Sequence, residues 1–189
     1  MRIPDEIREQ TWGKNRHIWY NGDSVPPALV EDPLQMGYAP KKTRSPWEDR
    51  FRTPTLEDLW QQYNRQTANL LDAALERLRG YGDLSEDLTW QGLPWRWTIT
   101  FRSQVDNGRA WAYLVPDPEK PKLAMPLTSA MVSSMPLHRM KKHVRDGVLQ
   151  SRLVDGVYWA TWDLTGKDQL KDILELADRK RKMSIIAQN

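Results

Sequence analysis

The chain has 189 residues, 28% of them charged and 39% hydrophobic, and this length and composition suit one globular domain with residues to spare. It contains no cysteine, so disulfides and thiolate metal sites are excluded. The formal charge of +3 is far below that of a dedicated polyanion binder, and no apolar stretch approaches the length of a membrane span.

Charge is spread unevenly: residues 55–90 carry three Lys/Arg against seven Asp/Glu, while residues 91–189 carry sixteen against ten. The opening Met1-Arg-Ile-Pro-Asp-Glu lacks the apolar run of a signal peptide, which makes the cytoplasm the expected location and gives no expectation of membrane attachment. Ten tryptophans against two phenylalanines is the compositional oddity. Indole rings serve cores, interfaces and stacking platforms alike, so the count alone selects none of them.

Residues 1–53 read as an extended N-terminal arm, because Pro4, Pro26, Pro27, Pro33, Pro40 and Pro46 block helix interiors and sheet ladders. Trp12, Trp19, Tyr20, Tyr38, Trp47 and Phe51 are too many rings for a solvated linker. The arm is therefore expected to pack on the body or on a partner chain, where it would make a homodimer. Residues 54–183 read as a single domain and 184–189 as a tail.

A first helix is predicted from an N-cap at Thr53, with Pro54 in first position, to a stop at Gly80 and Gly82. Its stripe is Leu56, Leu59, Trp60, Tyr63, Leu70, Leu71, Ala74, Leu75 and Leu78. Asp83–Asp87 reads as an acidic connector, followed by Leu88-Thr-Trp-Gln-Gly-Leu-Pro94 leading into the sheet. A strand follows, with Trp95, Trp97, Ile99 and Phe101 on the inner side and Arg96, Thr98, Thr100 and Arg102 on the outer. Asp106-Asn107-Gly108 signals a hairpin into Arg109–Val115, and Lys122–Met125 is a third, short strand.

Met131–Leu149 reads as a second helix started by Ser134 and Pro136. After Asp155-Gly156 comes a last strand, Val157–Asp163, and then a helix capped by Thr165, with Asp168 in its first turn and Arg179-Lys180-Arg181-Lys182 at its end. The expected fold is α+β: a two-layer sandwich in the order α-β-β-β-α-β-α, with an antiparallel sheet of four or five strands and helices on one face.

Over about residues 55–182 this order, with the segments Leu88-Thr-Trp-Gln-Gly-Leu-Pro94, Trp111-Ala-Tyr-Leu114 leading to Pro121-Lys-Leu-Ala-Met125, and Gly156-Val-Tyr-Trp-Ala-Thr-Trp-Asp163, resembles the YdhG-like family of small bacterial domains of unknown function. Some members carry a frataxin-like iron-chaperone description. The resemblance implies the fold and raises iron as an alternative cofactor. The sequence departs from the family pattern in its many tryptophans and in the proline-rich connection Pro116–Pro126.

For chemistry, the residues offer little. There is no Gly-x-Ser-x-Gly elbow, and Ser134 near His138 is better explained as a cap. His138 and His143, five apart on a helix, point about 140° apart and cannot share an ion. Thr165-Gly166-Lys167 is a weak phosphate loop, and Asp163 is a lone carboxylate. No catalytic residue is assigned, and the expectation is a non-enzymatic binding domain for a protein or small ligand.

Three candidate surfaces remain. Trp95, Trp97, Trp111, Trp159 and Trp162 would line a concave aromatic pocket. Asp83, Glu86 and Asp87, with Asp72 and Glu76 nearby, would form an acidic edge for iron or another hard metal. Arg139, Lys142, Arg145, Arg179 and Lys180, with Lys141 and Arg152, would form a basic surface for nucleic acid.

Overall fold

The computed structural model of the chain describes residues 44–186. Most of the proposed arm, including Trp12, Trp19, Tyr20 and Tyr38, lies outside the described residues, as does residues 187–189 of the tail.

The described part is α+β. Its helices are α1 (Leu56–Trp60), α2 (Arg65–Arg79), α3 (Ser129–Ser134), α4 (Lys142–Leu149) and α5 (Lys167–Ile186), with a 3-10 turn at Leu137–Arg139. The strands are β1 (Leu84–Trp90), β2 (Trp97–Ser103), β3 (Ala110–Val115), β4 (Lys122–Thr128), β5 (Arg152–Val154) and β6 (Val157–Asp163). They form one six-stranded sheet in the order β1-β2-β3-β4-β6-β5, antiparallel throughout. Among the described residues no helix is long and apolar enough to cross a membrane.

The first predicted helix is two helices. Thr55, not Thr53, is the first N-cap: its hydroxyl accepts from Asp58 N while the Asp58 carboxylate accepts from Thr55 N, a reciprocal capping box. The polar run Gln61–Asn64 then breaks the helix. Asn64 recaps the chain by accepting from Thr67 N at 2.9 Å, and the Trp60 indole folds back to donate to Asp72 at 2.6 Å.

Two strands were absent from the sequence reading. Residues 84–90, expected as the end of a connector and the lead-in Leu88–Trp90, are edge strand β1, paired along its whole length with β2. Its centre, Ser85-Glu86-Asp87, is polar because an edge strand with exposed side chains needs no apolar alternation. β5 is only three residues long and all three are exposed, so it too carries no periodic signal.

β4 runs on through Pro126 to Thr128. Pairing with β3 stops at Ala124, so Pro126 sits where β4 has β6 as its only partner. The predicted helix over 131–149 is broken by Pro136 into α3, the 3-10 turn and α4. Thr128 caps α3, whereas Ser134 lies at its last turn and donates back to Met131 O. Thr165 does not cap α5; its N–H and hydroxyl both donate to Gln169 Oε1.

Helices α2, α4 and α5 pack on one core with the sheet, while Leu59 of α1 is buried in a second cluster with Trp47, Trp97 and Val115. Leu71, Leu78, Ile173 and Leu176 from α2 and α5 pack on Ile99, Phe101, Leu114 and Met125. Burying such side chains contributes roughly 1.5–3 kcal/mol each. A bulge interrupts this face: Phe101 opposes Ala112 and Arg102 opposes Ala110, which leaves Trp111 as the extra residue on β3. The bulge turns the Trp111 ring into the helix-side core, against Tyr81.

Candidate binding site

The five tryptophans proposed for one pocket do not share a surface. Trp97, Trp111 and Trp162 are buried, the last two in the helix-side core. The Trp162 indole donates to Val144 O, and Gly147 leaves it room on α4. Trp95 and Trp159 instead pack with Tyr113 on the face that no helix covers, with ring centroids 5.1–6.1 Å apart and mostly edge to face. Thr98 and Thr100 lie fully buried on that same side, so the predicted solvated face is closed at its centre. The aromatic pocket is thus filled by its own rings, which satisfy one another at favourable separations.

The acidic trio is likewise dispersed. Glu86 and Asp87 are neighbours on a strand and point to opposite faces. Arg79 takes the Glu86 carboxylate with two N–H groups, and Arg181 lies 2.9 Å from Asp83 Oδ1, an ion pair without good hydrogen-bond alignment. Asp72 accepts from Trp60, and Glu76 lines a separate groove. Among the described residues no group of three His, Asp or Glu side chains is placed to hold a metal.

The basic set splits in a third way. Arg139 and Arg179 line one small pocket, but Asp172 and Glu175 share it. Arg145 sits 3.7 Å from Asp146, and Lys142 is exposed. Lys180 is a correction: it is only 4% exposed, and its ammonium lies 4.7 Å from the Trp111 ring centre while donating to Trp111 O. The carbonyl that takes the lysine belongs to the bulge residue of β3. Burial pulls the Lys180 pKa down from the usual lysine range to about 7, against a smaller opposing pull from Asp106.

Beside it, Tyr81 lies between two guanidiniums, Arg77 at 5.7 Å and Arg181 at 4.9 Å from its ring centre. Its hydroxyl donates to Asp178, which Arg77 also grips through two bonds. Burial, and then the Asp178 carboxylate, push the Tyr81 pKa up. These contacts tie α2 to α5 and consume every charge in the group.

The open site lies elsewhere, at the end of the sheet where the segment before α1 meets the β1–β2 connection. Trp47 is buried there: its indole donates to Trp97 O at 3.0 Å, and the Trp97 indole donates to Asp49 O at 2.7 Å. The Arg96 guanidinium stacks on the Trp47 ring at 4.6 Å and pairs with Glu48. Residues 91–96 form a closed loop, with Gln91 N donating to Arg96 O and Arg96 N to Gly92 O. Gly92 at φ +79° and Arg96 at φ +49° supply the left-handed turns this closure needs.

Two rigid loops therefore flank a cleft of about 560 Å³ lined by Arg44, Arg50, Phe51, Trp90, Leu93 and Arg96, with Gly92 and Glu48. Phe51 is 89% exposed and Leu93 79%, the two most exposed large apolar side chains among the described residues. Phe51, expected among the rings that pin the arm, stands free, while Trp47 holds the described segment before α1 to β2. Trp90 is half-buried and backed edge-on by Trp97 at 5.7 Å. Among the described residues Arg44 and Arg50 form no ion pair, while Glu48 is engaged by Arg96.

A larger groove of about 690 Å³ runs between α2 and α5, over Ala73, Leu170 and Leu174. Its walls mix Asp72, Glu76 and Glu175 with Lys167 and Lys171, and Leu170 is buried, so it offers neither a prominent apolar anchor nor one sign of charge. The smaller cleft offers two exposed apolar anchors and an excess of positive charge, three arginines against Glu48.

Sequence reasoning missed the cleft because its residues are spread over two non-periodic segments. The available signal was local: Arg50-Phe51-Arg52 sets a ring between two cations outside any apolar stripe. No protein-family model and no curated protein matches the chain.

Proposed function

We propose that the chain is a binding domain rather than an enzyme, and that the Phe51–Leu93 cleft is its working surface. One observation carries this reading: the two most exposed large apolar side chains share a cleft with two arginines that no described carboxylate neutralises. Exposed large apolar groups gathered at one place mark interaction sites more often than scattered ones do. The rigid loops support it, because a surface held in place loses little freedom on binding. The ligand this site fits is an anion with an apolar or aromatic part.

The dye bis-ANS, an anionic aromatic probe, tests the reading on the full chain. Saturable binding that is lost in Phe51→Ala and weakened in Arg50→Gln is the expected result. Absent binding, or binding that neither substitution changes, would contradict it.

A further inference from the structure

Resting on that reading, we infer that the natural occupant of the cleft is a single-stranded nucleic acid, held by ring stacking on Phe51 and phosphate contacts to Arg44 and Arg50. Two features of the cleft favour this occupant. The first is the ring. Phe51 is 89% exposed, so its face is open to a planar partner, and bases stack on aromatic side chains whatever their sequence. Trp90, held edge-on by Trp97, supplies a second aromatic ring in the same cleft.

The second feature is charge. The described lining of the cleft carries Arg44, Arg50 and Arg96 against Glu48, while Arg52 lies outside it, 3.9 Å from Asp58. Glu48 is paired with Arg96, which leaves Arg44 and Arg50 as the cleft charges without an ion-pair partner among the described residues. The cleft thus presents positive charge around an exposed ring, which complements a chain of phosphates carrying planar bases. An acidic peptide would meet the arginines but has no reason to cover the open ring face. A bilayer is planar and matches a concave cleft poorly. Leu93 opposite would take the apolar edge of a base or sugar.

This site differs from the basic helices singled out in the sequence. Arg139 and Arg179 share their pocket with Asp172 and Glu175, and Lys180 is buried.

The test is fluorescence anisotropy of a labelled twelve-base oligothymidylate with the full chain at about 50 mM salt and upward, run beside bis-ANS. The wild type should bind saturably. Phe51→Ala should weaken binding about tenfold or more, since one stacked base is lost. Arg44→Gln with Arg50→Gln should lower the slope of log affinity against log salt by about 1.4, the value for two phosphate contacts on a single strand. Phe51 is exposed, so its substitution leaves the fold in place.

Dye binding without oligonucleotide binding would overturn the ligand and leave the cleft standing. Loss of both would overturn the cleft as well. Oligonucleotide binding that Phe51→Ala does not change, or that a polyglutamate peptide of equal charge displaces equally well, would also overturn the inference.

Discussion

The chain's two phenylalanines occupy opposite extremes of the molecule. Phe101 is 1% exposed at the centre of β2, under α2 and α5, while Phe51 is 89% exposed at the rim of the end cleft. The same contrast divides the tryptophans. Trp162 is enclosed, with its N–H bonded, whereas Trp90 keeps part of its ring in the cleft. An aromatic-rich composition is therefore not one signal. Phe101 and Trp162, on the inward alternation of central strands, build the core; Trp47 reaches a second core from a segment without a period, and Phe51 in that same segment makes surface.

Substitutions on the two sides should behave differently. The largest effect is expected from Trp162→Ala, which empties a filled core site and removes the indole bond to Val144 O. A loss of about 3–5 kcal/mol in chemical denaturation is the expected outcome, with cleft binding intact below the transition. Gly147→Ala attacks the same ring from α4. An added Cβ would stand 2.0 Å from Trp162 Nε1, so a cost of about 1–3 kcal/mol follows unless the indole moves.

Lys180 gives the contrast a pH signature. In the unfolded chain this amine holds its proton up to the ordinary lysine range, but in the folded protein it gives it up near 7. Between those values the unfolded state binds more protons, so stability rises as pH rises from about 7 towards 10, by at most about 1.4 kcal/mol per pH unit. Lys180→Met should abolish that part of the rise and, at pH 7 and below, cost little or stabilise. Denaturation midpoints across the window check it. A wild type and variant with parallel profiles would show that Lys180 keeps its proton.

A smaller effect is due at Thr55, where Thr55→Ala removes the capping box of α1 and should cost about 1 kcal/mol. The smallest is at Phe51 itself: Phe51→Ala should change stability by no more than about 0.5 kcal/mol.

The sequence showed much of this frame and little of the site. β2, β3, β6 and the stripes of α2 and α5 were legible because one buried face imposes a period. β1 and β5 were not, since edge strands with exposed side chains need none. The break at Gln61–Asn64 was masked by an apolar stripe that runs across it, although Asn64 is a good cap. Lys180 looked solvated inside Arg179-Lys180-Arg181-Lys182, yet it follows Ile173, Leu176 and Ala177 at helical spacing, and that stripe is the sign that it points inward. The cleft has no period at all. It depends on the Trp47 and Trp97 indoles locking two distant loops together, which is visible only in three dimensions.

With only two phenylalanines in the chain, fluorine NMR of protein labelled with 4-fluorophenylalanine gives two resonances and addresses both regions in one sample. The resonance assigned to Phe51 through Phe51→Ala should broaden with a soluble paramagnetic reagent and shift as bis-ANS is added, while that of Phe101 stays unchanged. A Phe51 resonance that is protected from the reagent, or that ignores the dye while binding occurs, would contradict the cleft as the binding surface.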